Sequence, residues 1–328
     1  MLSRRDLFIR TGALATGAFG ARVRECAAAA AQPSTPVNFE VPSGSCDCHT
    51  HVFCDPGRFP STAARTYTPE PASVEEMRRL HRALHMDRVV IVQPSVYGTD
   101  NSCTLDAIRQ LGSRARGVAV IDDKTPASAL DDMHRAGIRG VRVNLETAGV
   151  VDPAAARQAF RAALERLRGR KWHLQIYTRL SIVDAIRDDI AAAAPLPIVI
   201  DHFGGAQAAL GISQPGFATL VGLVRAGSVY VKISGAYRAS IHAPDYADVA
   251  PLAKALIAAN PRRIIWGTDW PHPDSARVPG RTSTDTAPLL QIDDGRLFNQ
   301  LPSWAVEASQ RRLILVDNPA QLYDFPEE

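Results

Sequence analysis

The sequence predicts a single α/β domain, a parallel (β/α)8 TIM barrel over residues 45–328. Three observations carry that expectation. Short β-branched or polar-tipped runs alternate eight times with stretches of helical periodicity, the order of a parallel barrel. The 328 residues are 46% apolar and 22% charged, enough for one large barrel with an ample core. No glycine-rich phosphate loop follows the first run, which weighs against the alternative, an open doubly wound sheet.

In chain order the strand-like runs are "CDCHTHVF", "RVVIVQPS", "ARGVAVID", "IRGVRVN", "WHLQIYT", "LPIVIDH", "VYVKISGAY" and "RIIWGTDW". Helical patterns such as "VEEMRRLHRALHM", "AAARQAFRAALERLRGR", "IVDAIRDDIAAAA" and "DVAPLAKALIAAN" separate them. In the first run, period-two alternation puts Asp47, His49 and His51 on one face, with Cys46, Cys48 and Thr50 facing away. At the later strand ends the same alternation collects a polar inward set. It comprises Gln93 and Ser95, Arg142 and Asn144, Gln175 and Tyr177, then His202, Ser234 and Asp269. Barrel interiors favour Val, Ile and Leu, and active sites gather at the C-terminal strand ends, so this set marks a site.

Residues 1–31 read differently. Arg4 and Arg5, a mildly apolar stretch and an alanine-rich segment resemble a twin-arginine export signal, with cleavage near Ala31. The expectation is an exported or periplasmic protein carried by the twin-arginine machinery, with residues 32–44 as a linker. Cys26 follows Glu25 rather than a small residue, which argues against a lipoprotein anchor. No uninterrupted run of 18 apolar residues occurs, so no stable membrane anchor is expected. Residues 1–31 hold five of the 37 basic and two of the 34 acidic residues, leaving 32 of each beyond them. A neutral remainder gives no footprint for nucleic acid or an anionic membrane.

Four cysteines lie beyond residue 31, too few for a disulfide framework in so large a core. A Cys54–Cys103 bridge is conceivable in an oxidising compartment; free buried thiols are the expected state. His81, His85 and His134 read as surface positions on helices. His173 starts its strand at the end away from the chemistry, His272 reads as shaping the rim, and Lys232 has no partner that the sequence names.

His49, His51, His202 and Asp269 together suit hydrolysis. Three imidazoles can polarise a carbonyl while the carboxylate takes a proton from water. The same four could instead hold one divalent ion such as Zn2+. No lysine or glutamate stands on the fourth or fifth strand to bridge two ions, so a binuclear centre is not expected.

"DCHTH", "IDH" and "WGTDWPHP", with "YTP", "VVIVQPSVYGTDN", "GIRGVRVN", "VKISGAYR" and "DNPAQLYDF", resemble the amidohydrolase superfamily. More narrowly they resemble its lactonase branch, which includes 2-pyrone-4,6-dicarboxylate hydrolase and sugar-acid and muconolactone lactonases. The resemblance implies Asp269 as general base, with His49, His51 and His202 around the lactone carbonyl and no metal strictly required. It further implies Tyr67, Ser95, Arg142, Tyr177 and Arg238 as substrate-binding groups. Two places where the dicarboxylate hydrolase carries further arginines hold Ala148 and Gly205 here. A lactone with one carboxylate or another compact anionic group is therefore expected, unless Arg179 or Arg277 replaces the missing pair. The rival readings are a metal-dependent decarboxylase of the same superfamily and a noncatalytic periplasmic organic-anion binding protein.

Overall fold

The computed structural model describes residues 30–275 and 279–326, so the export-signal expectation and Arg277 lie outside the described residues, apart from Ala30 and Ala31. Eight parallel strands form the barrel in sequential order: β1 (Cys46–Thr50), β2 (Arg88–Val92), β3 (Ala115–Ala119), β4 (Ile138–Asn144), β5 (His173–Tyr177), β6 (Ile198–Ile200), β7 (Val229–Ser234) and β8 (Ile264–Gly267). The ring closes just past the strand ends. His49 O accepts from Asp269 N at 2.8 Å, and Trp270 O accepts from His51 N at 2.8 Å.

Strands covered on both faces need apolar residues throughout, and β2 is buried at all five positions. Around them the helices present one apolar stripe each. The helix Val74–Leu84 starts in a capping box between Ser73 and Glu76 and buries Val74, Met77, Leu80 and Leu84. The helix Pro153–Leu167 is capped by Asp152, with proline in its first turn, where the missing N–H costs nothing. "IVDAIRDDIAAAA" forms two short helices rather than one, Leu180–Ala185 and Arg187–Ala192, parted at Ile186 (φ −109°, ψ 14°).

Inside the barrel, Cys46, Cys48, Val90, Val92, Val118, Val199, Tyr230 and Ile265 form one cluster, which Tyr323 and Phe325 from the C-terminus also join. The Arg116 and Arg88 guanidinium groups lie 4.6 and 5.3 Å over the Phe325 ring. The second cluster, larger, fills the layer between strands and helices.

Three expectations are corrected here. The first strand does not alternate evenly: its pairing with β2 slips between Asp47 and Thr50. Cys46 and Cys48 consequently face inward, and Asp47 turns towards His81 on the first helix and Thr268. A bulge of this kind re-aims a side chain, and here it lets His49 face inward next to Cys48. Secondly, His81 is 4% exposed, with its Nε2 3.3 Å from Asp47 Oδ2, so it is not a surface residue; His85 and His134 are exposed as expected. Thirdly, Cys54 and Cys103 form a disulfide that ties the loop after β1 to the helix Ser102–Leu111, while Cys46 and Cys48 are the free buried thiols. The expected linker, residues 32–44, carries no helix or strand and packs against the barrel. Ser34 and Thr35 hydrogen-bond Asp293, and just before them Ala31 O accepts from the Trp270 indole at 2.9 Å.

Candidate active site

The strand ends bring His49, His51, His202 and Asp269 to one point. Asp269 Oδ1 lies 3.6 Å from His49 Nε2, 3.6 Å from His51 Nε2 and 3.8 Å from His202 Nε2. Asp269 and His202 adopt left-handed backbone, φ 68° and 49°. That conformation is costly for non-glycine residues and is concentrated at functional sites. Gly267 makes the convergence possible: a Cβ there would sit 2.6 Å from the His49 backbone nitrogen.

Each functional side chain is held by a neighbour. His51 Nδ1 lies 2.8 Å from Val92 O. A carbonyl only accepts, so Nδ1 carries the proton and Nε2 faces Asp269 as a bare acceptor. His202 Nδ1 lies 2.9 Å from Ser234 Oγ. Asp269 Oδ2 accepts from Tyr237 OH at 2.6 Å and from Arg238 Nε. Its Oδ1 and His49 Nε2 are buried without a hydrogen-bond partner.

A second buried layer lies beneath. Asp201 Oδ1 is 3.3 Å from His49 Nδ1 and 3.6 Å from Lys232 Nζ. Its Oδ2 accepts from Gln175 at 2.9 Å and lies 3.5 Å from Arg142 Nε. Lys232 donates to Gln175 Oε1 at 2.8 Å and reaches within 3.4 Å of His49 Nδ1. The lysine without a named partner thus has three. Gln93 departs from the expected inward set, bonding Gly98 O, Asp100 O and Thr104 to brace its own loop.

Burial pushes all three imidazoles down, His202 to about 4, so the site holds neutral histidines at pH 7. For Asp269, burial alone would raise the carboxyl. The Arg238 guanidinium outweighs that and holds it well below the carboxylate range. Asp201 is likewise held low against its burial, by His49 and Lys232.

Tyr67, Ser95, Arg142, Tyr177 and Arg238 all line one small chamber of about 20 Å3, together with His51 and His202. This is room for about one water. The chamber shares Tyr177, Arg238 and Thr147 with an outer mouth of about 500 Å3.

Sequence reasoning missed Asp201, Lys232 and Tyr237 as parts of the site. Lys232 carries a readable signal, because a lysine between Tyr230 and Ser234 on one inward face of an apolar strand needs a buried anion. Tyr237 carries none. Only the short helix Ala236–Ala239 aims it and Arg238 at the same carboxylate oxygen. His272 is buried and bonds Asp294 at 2.9 Å, with its ring edge-on to Tyr237. His173 is buried against Tyr323 at the opposite end of the barrel.

A (β/α)8 barrel with imidazoles and an ionised aspartate at its strand ends is a hydrolase scaffold. The chain belongs to the amidohydrolase family, whose Amidohydrolase model matches residues 46–325. It is 35% identical over 294 residues to a 4-sulfomuconolactone hydrolase of Hydrogenophaga intermedia, covering 88% of this chain and 91% of that one. A 2-pyrone-4,6-dicarboxylate hydrolase of Comamonas testosteroni is 34% identical over 307 residues, covering 91% and 95%. Among solved structures, an apo Agrobacterium tumefaciens protein superposes with a TM-score of 0.74 at 27% identity, covering 89% of this chain and all of that one.

Proposed function

We propose that the protein opens the ring of a small anionic lactone by hydrolysis. The observation that carries this is the bare Asp269 Oδ1 at the focus of three imidazole nitrogens, beside a chamber rich in cations. Asp201 and Asp269 face Arg142, Arg238 and Lys232, so the buried cluster has one positive charge in excess, which favours an anionic ligand.

Asp269 Oδ1 and His51 Nε2 are both acceptors, and one water between them can donate to each. Attack by that water on the lactone carbonyl passes its proton to Asp269. His49 and His202 flank the carbonyl oxygen as negative charge develops. The ring C–O bond then breaks, and the leaving alkoxide takes the proton back from Asp269. The product is a hydroxy acid, with a new carboxylate formed from the ring carbonyl. Tyr67, Ser95 and Tyr177 border the chamber, which must widen from its unliganded volume to admit the ring, and Arg142 and Arg238 meet the substrate's own anionic group.

The same donors fit a single divalent cation such as zinc. Ligand atoms of His49, His51 and Asp269 lie within 4.8 Å of one another, two of them unpartnered, and an ion there would act as a Lewis acid on the carbonyl. In our reading no metal is strictly required, because the cluster already carries excess positive charge. A screen of lactones with a pH indicator tests the activity, since ring opening at neutral pH releases a proton. Acid release is expected to persist after prolonged chelation and metal analysis. No acid release from any lactone would overturn the assignment. Complete loss on chelation, restored by stoichiometric zinc, would overturn the metal-free reading.

We further infer export by the twin-arginine route, supported by Arg4, Arg5 and the alanine-rich segment. Fractionation of cells expressing the full chain should yield periplasmic protein beginning near residue 32. Uncleaved cytoplasmic protein would refute this.

A further inference from the structure

We propose that Glu146 is an internal stand-in for a second substrate carboxylate, and that by occupying Arg179 it keeps the enzyme selective for singly charged lactones. The inference rests on the lactone-opening function for its substrate class. The mouth of about 500 Å3 has two cations among its described lining residues, Arg179 and Arg238. Arg238 pairs through Nε with Asp269 and, in the proposed function, already meets the substrate's first anionic group. Arg179, just past β5, is committed to Glu146 on the short helix Leu145–Ala148 that follows β4.

That pair has the form of a ligand contact. Arg179 Nε donates to Glu146 Oε2 at 3.0 Å, and a terminal nitrogen donates to Oε1 at 2.6 Å. Two parallel bonds of this kind are how a guanidinium grips any carboxylate. The side chains are 45% and 32% exposed, so solvent and solutes reach them. Exposed pairs contribute little to stability, so this one can be broken or exchanged without unfolding the barrel.

Among the described residues, the neighbouring positions leave Arg179 as the candidate. Ala148 is exposed and carries no donor. Gly205 has φ +73°, and a Cβ there would lie 2.8 Å from Thr178 O and 2.9 Å from Arg179 Cα. The chain bearing Arg179 has thus closed over the site where a side chain at 205 would project. Because Tyr177 and Arg238 border both cavities, a ligand with its carbonyl at Asp269 extends past them towards Arg179. A second carboxylate on that ligand would compete with Glu146 for one guanidinium.

The test compares muconate with sorbate, six-carbon diene acids bearing two carboxylates and one, by calorimetric titration at physiological salt. Glu146→Gln should tighten muconate binding about tenfold, equivalent to about 1.4 kcal/mol, and leave sorbate within about twofold. Adding Arg179→Gln should return muconate to its wild-type affinity. Arg179→Lys in the Glu146→Gln background, which keeps the charge but loses the fork, should retain less than half of the gain. An unchanged muconate-to-sorbate ratio in Glu146→Gln, or a gain that survives Arg179→Gln, overturns the inference. Wild-type protein that opens no lactone yet shows this binding pattern refutes only the proposed function. Lactone hydrolysis without the pattern refutes only this inference.

Discussion

Asp269→Asn is expected to lower kcat about a hundredfold or more, the scale of losing a general base, while KM stays within a few-fold. The substitution keeps the side chain's size but removes both the proton acceptor and the charge that pairs with Arg238. Asparagine also tolerates the left-handed backbone found at Asp269, so circular dichroism should show the barrel retained, while the unfolding midpoint falls because Arg238 loses its counter-ion. Oδ2 binds Tyr237 and Arg238 while Oδ1 has no hydrogen bond, so the base and the anchoring oxygen are distinct atoms of one carboxylate. Near-wild-type turnover in the variant would move the base elsewhere, with His202 next in line.

Lys232→Met should be the most damaging single change to stability. Lys232 and Asp201 are both 0% exposed and lie 3.6 Å apart. Methionine fills the space but leaves Asp201 short of a cation. Breaking a buried pair from one side costs about 3–5 kcal/mol. At about 2–4 °C per kcal/mol for a large domain, the unfolding midpoint should fall by roughly 10 °C. Asp201→Asn in the same chain removes the stranded charge and should recover part of the loss, a coupling that a double-mutant cycle measures. A Lys232→Met protein within about 1 kcal/mol of wild type would show that Arg142, 3.5 Å from the same carboxylate, suffices to hold it.

The two layers of the site differ in how far they could be read in advance. His49, His51, His202 and Asp269 sit at the ends of their strands, where sequence position implies spatial position. Ser95, Arg142 and Tyr177 were legible as inward strand-end positions, whereas Tyr67 and Arg238, and the substrate-binding role of all five, came through the family resemblance. The structure brings them into one chamber. Asp47 shows the limit of period-two reasoning. One extra residue in the pairing of β1 reverses which face a side chain takes, and nothing in "CDCHTH" announces it. The cysteine pairing failed similarly, since Cys54 and Cys103 are 49 residues apart and meet only because the loop after β1 lies against the first turn of the helix Ser102–Leu111.

By itself, then, the sequence determined the (β/α)8 class, the order of strands and the identity of the central histidines and aspartate. These follow from local periodicity and from the rule that barrel strand ends face a common centre. Tertiary structure alone decided which groups neutralise one another. Asp201 with Lys232, and Asp269 with Tyr237 and Arg238, are each contributed by different strand–loop units, although Tyr237 and Arg238 share one. Buried charges take whichever partner the closed barrel places within a few ångströms, because an unpaired one is too costly to keep, and that distance exists only once all eight strands have closed.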